Sequence, residues 1–341
     1  MAQFKYIFNM YIPAKIQREI ERRIGDYIVG PRKSKGESGA NSEHFFFKAS
    51  NDVEYVILIP RYENMIKGYK KVQTLLPFLH KQNLPCSIPS WLEIIDSPNG
   101  VCAVMERIIG HEGAQESFLH LPPENQKIFA AQIADFFVAL HRCPIALLPK
   151  GLDYSDYFKT PKQEELYPFL LDIFSNEENE TPGFCKKLYD RIGKIYHFGF
   201  DDCVFIHRDF HFGNAIVDDG HNLKAVFDWG NACVAPRLRD FCNLAGYNEK
   251  DSLLLKMVLE SYNSKTGFSV KPQQVILFNR IQWAGCGYIL KDRPALMTWA
   301  KNDGNALVRG DYDKDIEICF RTNIEHHFLV KTPSGNSRLS G

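Results

Sequence analysis

The chain has 341 residues, and its 41 basic and 41 acidic side chains cancel to a formal charge of zero. At roughly 150 residues per domain this length predicts two lobes, each large enough to bury a core. The balanced charge argues against a general nucleic-acid or anionic-membrane binder, which needs a basic excess.

Residues 1–13 carry one Lys and no small-residue cleavage site, so they make a poor signal peptide. The longest apolar runs, such as residues 55–60, fall far short of the roughly 20 residues that cross a bilayer. The nine cysteines are scattered, with no C-x-x-C pair. The expectation is a cytoplasmic protein with reduced thiols, and neither a zinc ribbon nor a disulfide scaffold.

In chain order, residues 16–24 read as a short charged helix and residues 28–29 as the start of a strand. A loop of glycine and small polar residues follows over 30–42. Two β-rich runs, 44–49 and 54–59, flank Asn51-Asp52 and read as a hairpin. Apolar residues at 65, 66, 69, 72, 75, 76 and 79 predict a helix over 62–81. Runs at 91–95 and 101–105 read as strands joined by the turn Ser97-Pro-Asn-Gly100. Pro122-Pro123 opens a helix to about Arg142, with Ile128, Phe129, Ile133, Phe136, Phe137 and Leu140 assigned to one face. Residues 160–197 and 250–328 read mainly as helix, with Asn176-Glu-Glu-Asn-Glu180 as a solvated loop and a disordered tail from 331. The outline is α+β: a small β-rich lobe over 1–105, a hinge at 106–110, and a larger helical lobe over 111–330.

The most informative stretch runs Phe205-Ile-His-Arg-Asp-Phe-His-Phe-Gly-Asn-Ala-Ile-Val217, then Ala225-Val-Phe-Asp-Trp-Gly230. An apolar strand leads into His207, Arg208 and Asp209. Asn214 follows five residues after Asp209, and a predicted hairpin over 215–227 delivers Asp228. Two carboxylates and a carboxamide next to one hairpin suit phosphoryl transfer, which needs positioning and charge neutralisation more than covalent chemistry. Mg²⁺ takes a few carboxylate or carbonyl oxygens and completes its shell with water and phosphate. Asn214 and Asp228 supply such oxygens, leaving Asp209 to accept a proton from an attacking hydroxyl. The spacing is that of the kinase pattern H-R-D-x-x-x-x-N with a later D-x-G. A rival reading takes His207, Asp209 and His211 as metal ligands of a hydrolase, but no further cluster of matching spacing accompanies them.

The sequence here resembles the aminoglycoside phosphotransferase and choline kinase-like family. The resemblance rests on His207-Arg-Asp-Phe-His-Phe-Gly-Asn214, Val226-Phe-Asp-Trp-Gly-Asn231 and Pro236-Arg-Leu-Arg-Asp-Phe-Cys-Asn-Leu244. The family shows H-G-D-x-H-x-x-N, then I-D-W/F-G, then D-P-x-x-D-L-A. The resemblance implies a bilobal protein kinase-like fold with an antiparallel sheet in the small lobe. It implies catalysis around Asp209, His207 and Arg208, with Asp209 the base and His207 bracing the loop. Asn214 and Asp228 would hold Mg²⁺, with His211 and Asp240 supporting the loop. The backbones of Glu106 and Ile108 would face the base of ATP or GTP, and Ser38, Gly39, Asn41 and Ser42 would cover its phosphates.

There are departures. Arg208 replaces the family's usual Gly, and Ala235 replaces the Asp of the D-P pair. The third strand should carry a Lys or Arg for the α/β-phosphates, but the aligned position is Leu58, leaving Arg61 or Lys48 as substitutes.

The expected activity moves the γ-phosphate of ATP or GTP to a small-molecule hydroxyl: an aminoglycoside-like antibiotic, an amino alcohol or a sugar-like metabolite. Acids at 153, 156, 164, 165, 313 and 315 would suit a polycationic acceptor. Aromatics at 154, 157, 283, 288 and 299 would suit a quaternary ammonium. The expected form is a monomer or dimer with no nucleic-acid or membrane partner. The alternative is a non-catalytic kinase-like protein that binds a nucleotide or a partner. A protein or lipid kinase is a third reading, without an Ala-Pro-Glu segment to support it.

Overall fold

The computed structural model describes residues 18, 20–22, 27–33, 42–49, 52–61, 63–90, 93–97, 100–112, 115–150, 190, 203–245, 252–276 and 279. The chain separates into two compact units. The first comprises residues 1–154, 204–234 and 260–266; the second comprises 155–203, 235–259 and 267–341.

The first unit is built on a five-stranded antiparallel sheet: β1 (Tyr27–Lys33), β2 (Ser42–Ala49), β3 (Glu54–Pro60), β4 (Glu93–Ser97) and β5 (Gly100–Glu106). The spatial order is β1-β2-β3-β5-β4. Alternation places Phe45 and Phe47 of β2, Tyr55, Ile57 and Ile59 of β3, and Cys102 and Val104 of β5 on one face, where they bury together with Ile20 and Ile95. Burial of each such large side chain contributes roughly 1.5–3 kcal/mol. The β2–β3 hairpin turns through Asp52 at φ +66, a left-handed position that Asp tolerates. Lys48 bonds Asp52 across this turn at 2.6 Å.

Helix α1 (Glu63–Leu79) follows β3 and buries Tyr69, Val72, Leu75, Leu76 and Leu79 of the stripe read from the sequence, with Phe78 added to it and residues 65 and 66 only half-buried. After α2 (Gln115–His120) comes α3 (Pro123–His141), with proline at its first turn, where the missing N–H costs nothing. Its buried face includes Phe129, Ile133, Phe136, Phe137 and Leu140. Ile128, assigned to that face from sequence, is instead 53% exposed. At 100° per residue it projects opposite the buried stripe, on the side of Gln132 and Asp135.

A second small sheet has the order β6-β8-β9, from β6 (His111–Glu112), β8 (Ala215–Val217) and β9 (Leu223–Val226). Gln132 of α3 clamps its turn. Its Oε1 accepts the Leu223 N–H at 2.8 Å, and its Nε2 donates to Asn222 Oδ1 at 3.0 Å. Residue 87 adds a parallel bridge to β9: Ser87 N–H donates to Lys224 O, and Val226 N–H donates to Ser87 O. Strand β7 (Cys203–Ile206) leads into the motif segment, and β10 (Cys233–Pro236) leaves it.

In the second unit, α4 (Leu238–Phe241) carries the buried Asp240, and Arg237 stacks over the Phe268 ring at 3.8 Å. Helix α5 (Ser252–Thr266) buries Leu254, Leu255, Val258 and Leu259 there. Its last residues belong to the first unit, where Tyr262 pairs with His141 Nδ1 at 2.9 Å and Lys265 with Asp135 at 2.7 Å. No helix among the described residues is long and apolar enough to cross a membrane. The helices expected over 160–197, the acidic loop at 176–180 and the tail lie outside the described residues, as does the part of 250–328 beyond residue 279.

Candidate active site

The motif segment rests on a floor of aromatic rings. Phe210 packs against Phe136 and Phe137 of α3, with centroids 5.7 and 5.1 Å apart. Trp229 meets Phe136 at 6.0 Å and lies edge-on to His207 at 4.6 Å. All of these residues are buried, so α3 fixes the height and tilt of the loop above it.

His207 is fully buried, and both its ring nitrogens are used. Nε2 lies 2.9 Å from the carbonyl of Phe227, and Nδ1 lies 3.3 Å from the backbone N–H of Asp209. A carbonyl only accepts and an N–H only donates. The ring is therefore assigned as the neutral Nε2–H tautomer, bridging Asp209 to the residue before Asp228.

Arg208, next along, is buried and holds φ +71, a left-handed conformation that glycine adopts without strain. That backbone requirement explains why a glycine is usual at this place in the family motif.

Asn214 is buried and donates from Nδ2 to the Asp209 carbonyl at 2.8 Å. Its own carbonyl accepts the Phe227 N–H at 3.0 Å, which sets Asn214 beside Asp228. His211 caps the intervening 3-10 turn by accepting the Gly213 N–H on Nδ1 at 3.0 Å. Asp228 takes φ +58 at the end of β9. It meets solvent on one side and is crowded by protein on the others. Crowding raises its pKa above the usual carboxylate value, and the neighbouring Asp209 charge pushes it the same way. Asp209 itself receives a hydrogen bond from Asn231 Nδ2 on Oδ2 at 3.1 Å.

The structure thus brings together His207, Arg208, Asp209, His211, Asn214 and Asp228 in the first unit. Asn231 was present in the motif but unassigned; its amide type and its place three residues after Asp228 were the available signals. Tyr69 of α1 was also missed. It is buried, bonds Ser42, and feels the charge of Asp228. No three His, Cys, Asp or Glu side chains converge as a metal cage among the described residues, so the His207–Asp209–His211 hydrolase reading gains no support.

The nucleotide-side expectations divide. Ser38, Gly39 and Asn41 lie outside the described residues, while Ser42 opens β2. Leu58 faces His44 and Ala103 on the neighbouring strands. Lys48 pairs with Glu54 in register, four residues along β2 from His44 and so about 13 Å along the strand. With its ammonium on Asp52, it is not placed to stand in for a lysine at 58. Arg61 is exposed just past β3. At the hinge, the Arg107 N–H donates to Glu54 O at 2.8 Å, and its guanidinium bonds Glu54 and covers the Phe46 ring. Asp240 belongs to the second unit. The acids and aromatics weighed for the acceptor lie outside the described residues.

Residues 198–270, which contain all three motifs, match the model of the phosphotransferase enzyme family, APH. The resemblance drawn from those motifs holds. The uncharacterized protein YcbJ of Bacillus subtilis (strain 168) is 24% identical over 272 residues, which is 72% of this chain and 83% of that one. Among solved structures, a streptomycin–ATP ternary complex of APH(2")-IIa superposes with a TM-score of 0.62 at 21% identity, covering 85% of this chain and 97% of that one. A GDP complex of aminoglycoside 2'-phosphotransferase-IIIa gives 0.63 at 15% identity, over 89% and 100% of the two chains. Macrolide 2'-phosphotransferase MphH from Brachybacterium faecium gives 0.58 at 16%, over 86% and 97%. The fold is therefore the α+β, kinase-like fold of these small-molecule phosphotransferases.

Proposed function

We propose that this chain transfers the γ-phosphate of ATP or GTP to a hydroxyl of a small molecule. The observation that carries the reading is the loop geometry: one buried histidine ties Asp209 to the backbone at Phe227, and Asn214 is hydrogen-bonded to both the Asp209 and Phe227 backbones. Base and metal-binding oxygens are thereby held in one rigid frame, as phosphoryl transfer requires.

Asp209 accepts the proton of the acceptor hydroxyl, and the Asn231 amide fixes its carboxylate. Arg208 lends the turn its shape. His207 acts as a positioning residue, since both its nitrogens are occupied. With Nδ2 of Asn214 spent on Asp209, Oδ1 is its remaining ligand atom. Oδ1 and the Asp228 carboxylate are hard-oxygen donors with the Asp209 carboxylate close by, a donor set that fits Mg²⁺. When bound, Mg²⁺ neutralises charge on the phosphate oxygens.

At the hinge, the trans peptide that aims the Arg107 N–H at Glu54 turns the Glu106 carbonyl away from β3, as an adenine acceptor requires. The solved neighbours carry ATP or GDP, and streptomycin in one case, which supports a nucleotide donor and a small acceptor.

Leu58 in place of a strand lysine favours the second reading, a nucleotide-binding protein without turnover. The two are separated by incubating MgATP or MgGTP with aminoglycosides, macrolides, amino alcohols and sugars, and following labelled phosphate. Turnover that falls about 10²–10⁴-fold in Asp209→Asn supports the transferase. Nucleotide binding without transfer to any acceptor supports the second reading. Full turnover in Asp209→Asn refutes the assignment of the base.

A further inference from the structure

In kinases, a lysine on the third strand pairs with a glutamate on the next helix, joining sheet to helix above the metal site. Leu58 makes that ion pair impossible here, yet sheet and helix are still joined. His44 lies directly opposite Leu58 in the β2–β3 register, and Ser42 lies opposite Pro60. Side chains alternate along a strand, so Ser42, His44 and Leu58 share one face, away from the Phe45–Ile57 core. It is the face from which a lysine at 58 would project.

Helix α1 meets that face with Tyr69, whose Oη hydrogen-bonds Ser42 Oγ; both residues are buried. One residue earlier, Gly68 brings the helix backbone against Gly230. A Cβ at Gly68 would sit 3.9 Å from the Gly230 Cα, and a Cβ at Gly230 would sit 3.6 Å from Asp228 Oδ1. The hydroxyl pair therefore joins the start of β2 to the helix turn lying against Gly230, two residues past Asp228.

We propose that the Ser42–Tyr69 hydroxyl pair replaces the strand–helix ion pair, and that Tyr69 is a positioning residue for the phosphates of the bound nucleotide. The inference rests on the phosphotransferase reading above. A neutral tie supplies geometry but not the positive charge that a lysine at 58 would bring.

The test is titration calorimetry with MgATP, and with MgGTP if ATP fails, on wild type, Tyr69→Phe, Ser42→Ala and the double variant. Circular dichroism checks each fold. Each single change is expected to weaken nucleotide binding about five- to tenfold, the effect of one hydrogen bond. The double variant should be no weaker than either single one, because all three lose the same bond. In the transfer assay, KM for the nucleotide should rise while KM for the acceptor stays constant. If Tyr69→Phe fails to fold, Ser42→Ala decides. Wild-type affinity in both single variants, or effects that multiply in the double variant, overturns the inference and leaves the function standing. Failure of wild type to bind either nucleotide overturns both.

Discussion

One added methyl group tests how closely the segment after the hinge approaches the motif hairpin. Gly110 holds φ +157, and a Cβ there would lie 2.3 Å from Ile216 Cγ2 and 2.7 Å from the Val217 carbonyl oxygen. The first contact is the branch methyl of a buried side chain, fixed close to its own backbone. The second is backbone in a paired strand and does not move cheaply. Alanine in a region of backbone space essentially reserved for glycine costs ~1–3 kcal/mol. Overpacking adds ~1–3 kcal/mol, so Gly110→Ala should lose about 2–6 kcal/mol in all.

Gly68→Ala is the matched control in the same unit. Its Cβ meets Gly230 at an ordinary 3.9 Å, and alanine is the better helix former by about 1 kcal/mol. Urea unfolding followed by the fluorescence of the buried Trp229 should move the midpoint down for Gly110→Ala, and leave it or move it up for Gly68→Ala. Equal midpoints for Gly110→Ala and wild type would refute the argument that β8 and the hinge are in backbone contact.

Two further outcomes follow from packing and burial. Phe136→Ala removes a fully buried ring shared by Phe137, Phe210 and Trp229, and should cost about 3–5 kcal/mol, with loss of the near-ultraviolet signal of Trp229. Burial pushes the Cys86 thiol up to about 12 and the Cys143 thiol up to about 11, whereas Cys203 is exposed. Since the thiolate is the nucleophile, a thiol reagent at pH 8 should label Cys203 before Cys86 and Cys143. Labelling of Cys143 should keep accelerating as pH rises toward 11, so equal rates for the three at pH 8 would contradict this burial.

The sequence made much of this architecture legible, for identifiable reasons. Strands β2, β3 and β5 are aromatic and β-branched runs bounded by turn residues, and α1 shows a helical stripe. The motif segment was legible because its residue types and spacing are set by chemistry. Ile128 misled because an apolar residue at the start of a helix was counted with its neighbours rather than by its angle, and it projects beside Gln132 and Asp135. Strand β6, two residues long, exists only because β8 pairs with it. The Ser42–Tyr69 bond joins residues 27 apart, each ordinary in its own element, so no local pattern announces it. Leu58 was legible as a missing cation, but what stands in its place is a property of the register.

The left-handed backbone at Arg208 bears on how far a motif drifts while its shape is kept. Holding a residue with a Cβ at φ +71 costs roughly 1–2 kcal/mol in the folded state. Glycine avoids that strain, but its unfolded chain has more freedom to lose, a penalty of about 0.4–1 kcal/mol. The two effects oppose each other, so the net difference between Gly and Arg at this turn is close to the energy of a single hydrogen bond. A substitution that looks like the loss of an invariant letter thus leaves the path of the chain into Asp209 nearly unchanged. Sequences with Arg, Asn or Gly at this place should be read as the same turn.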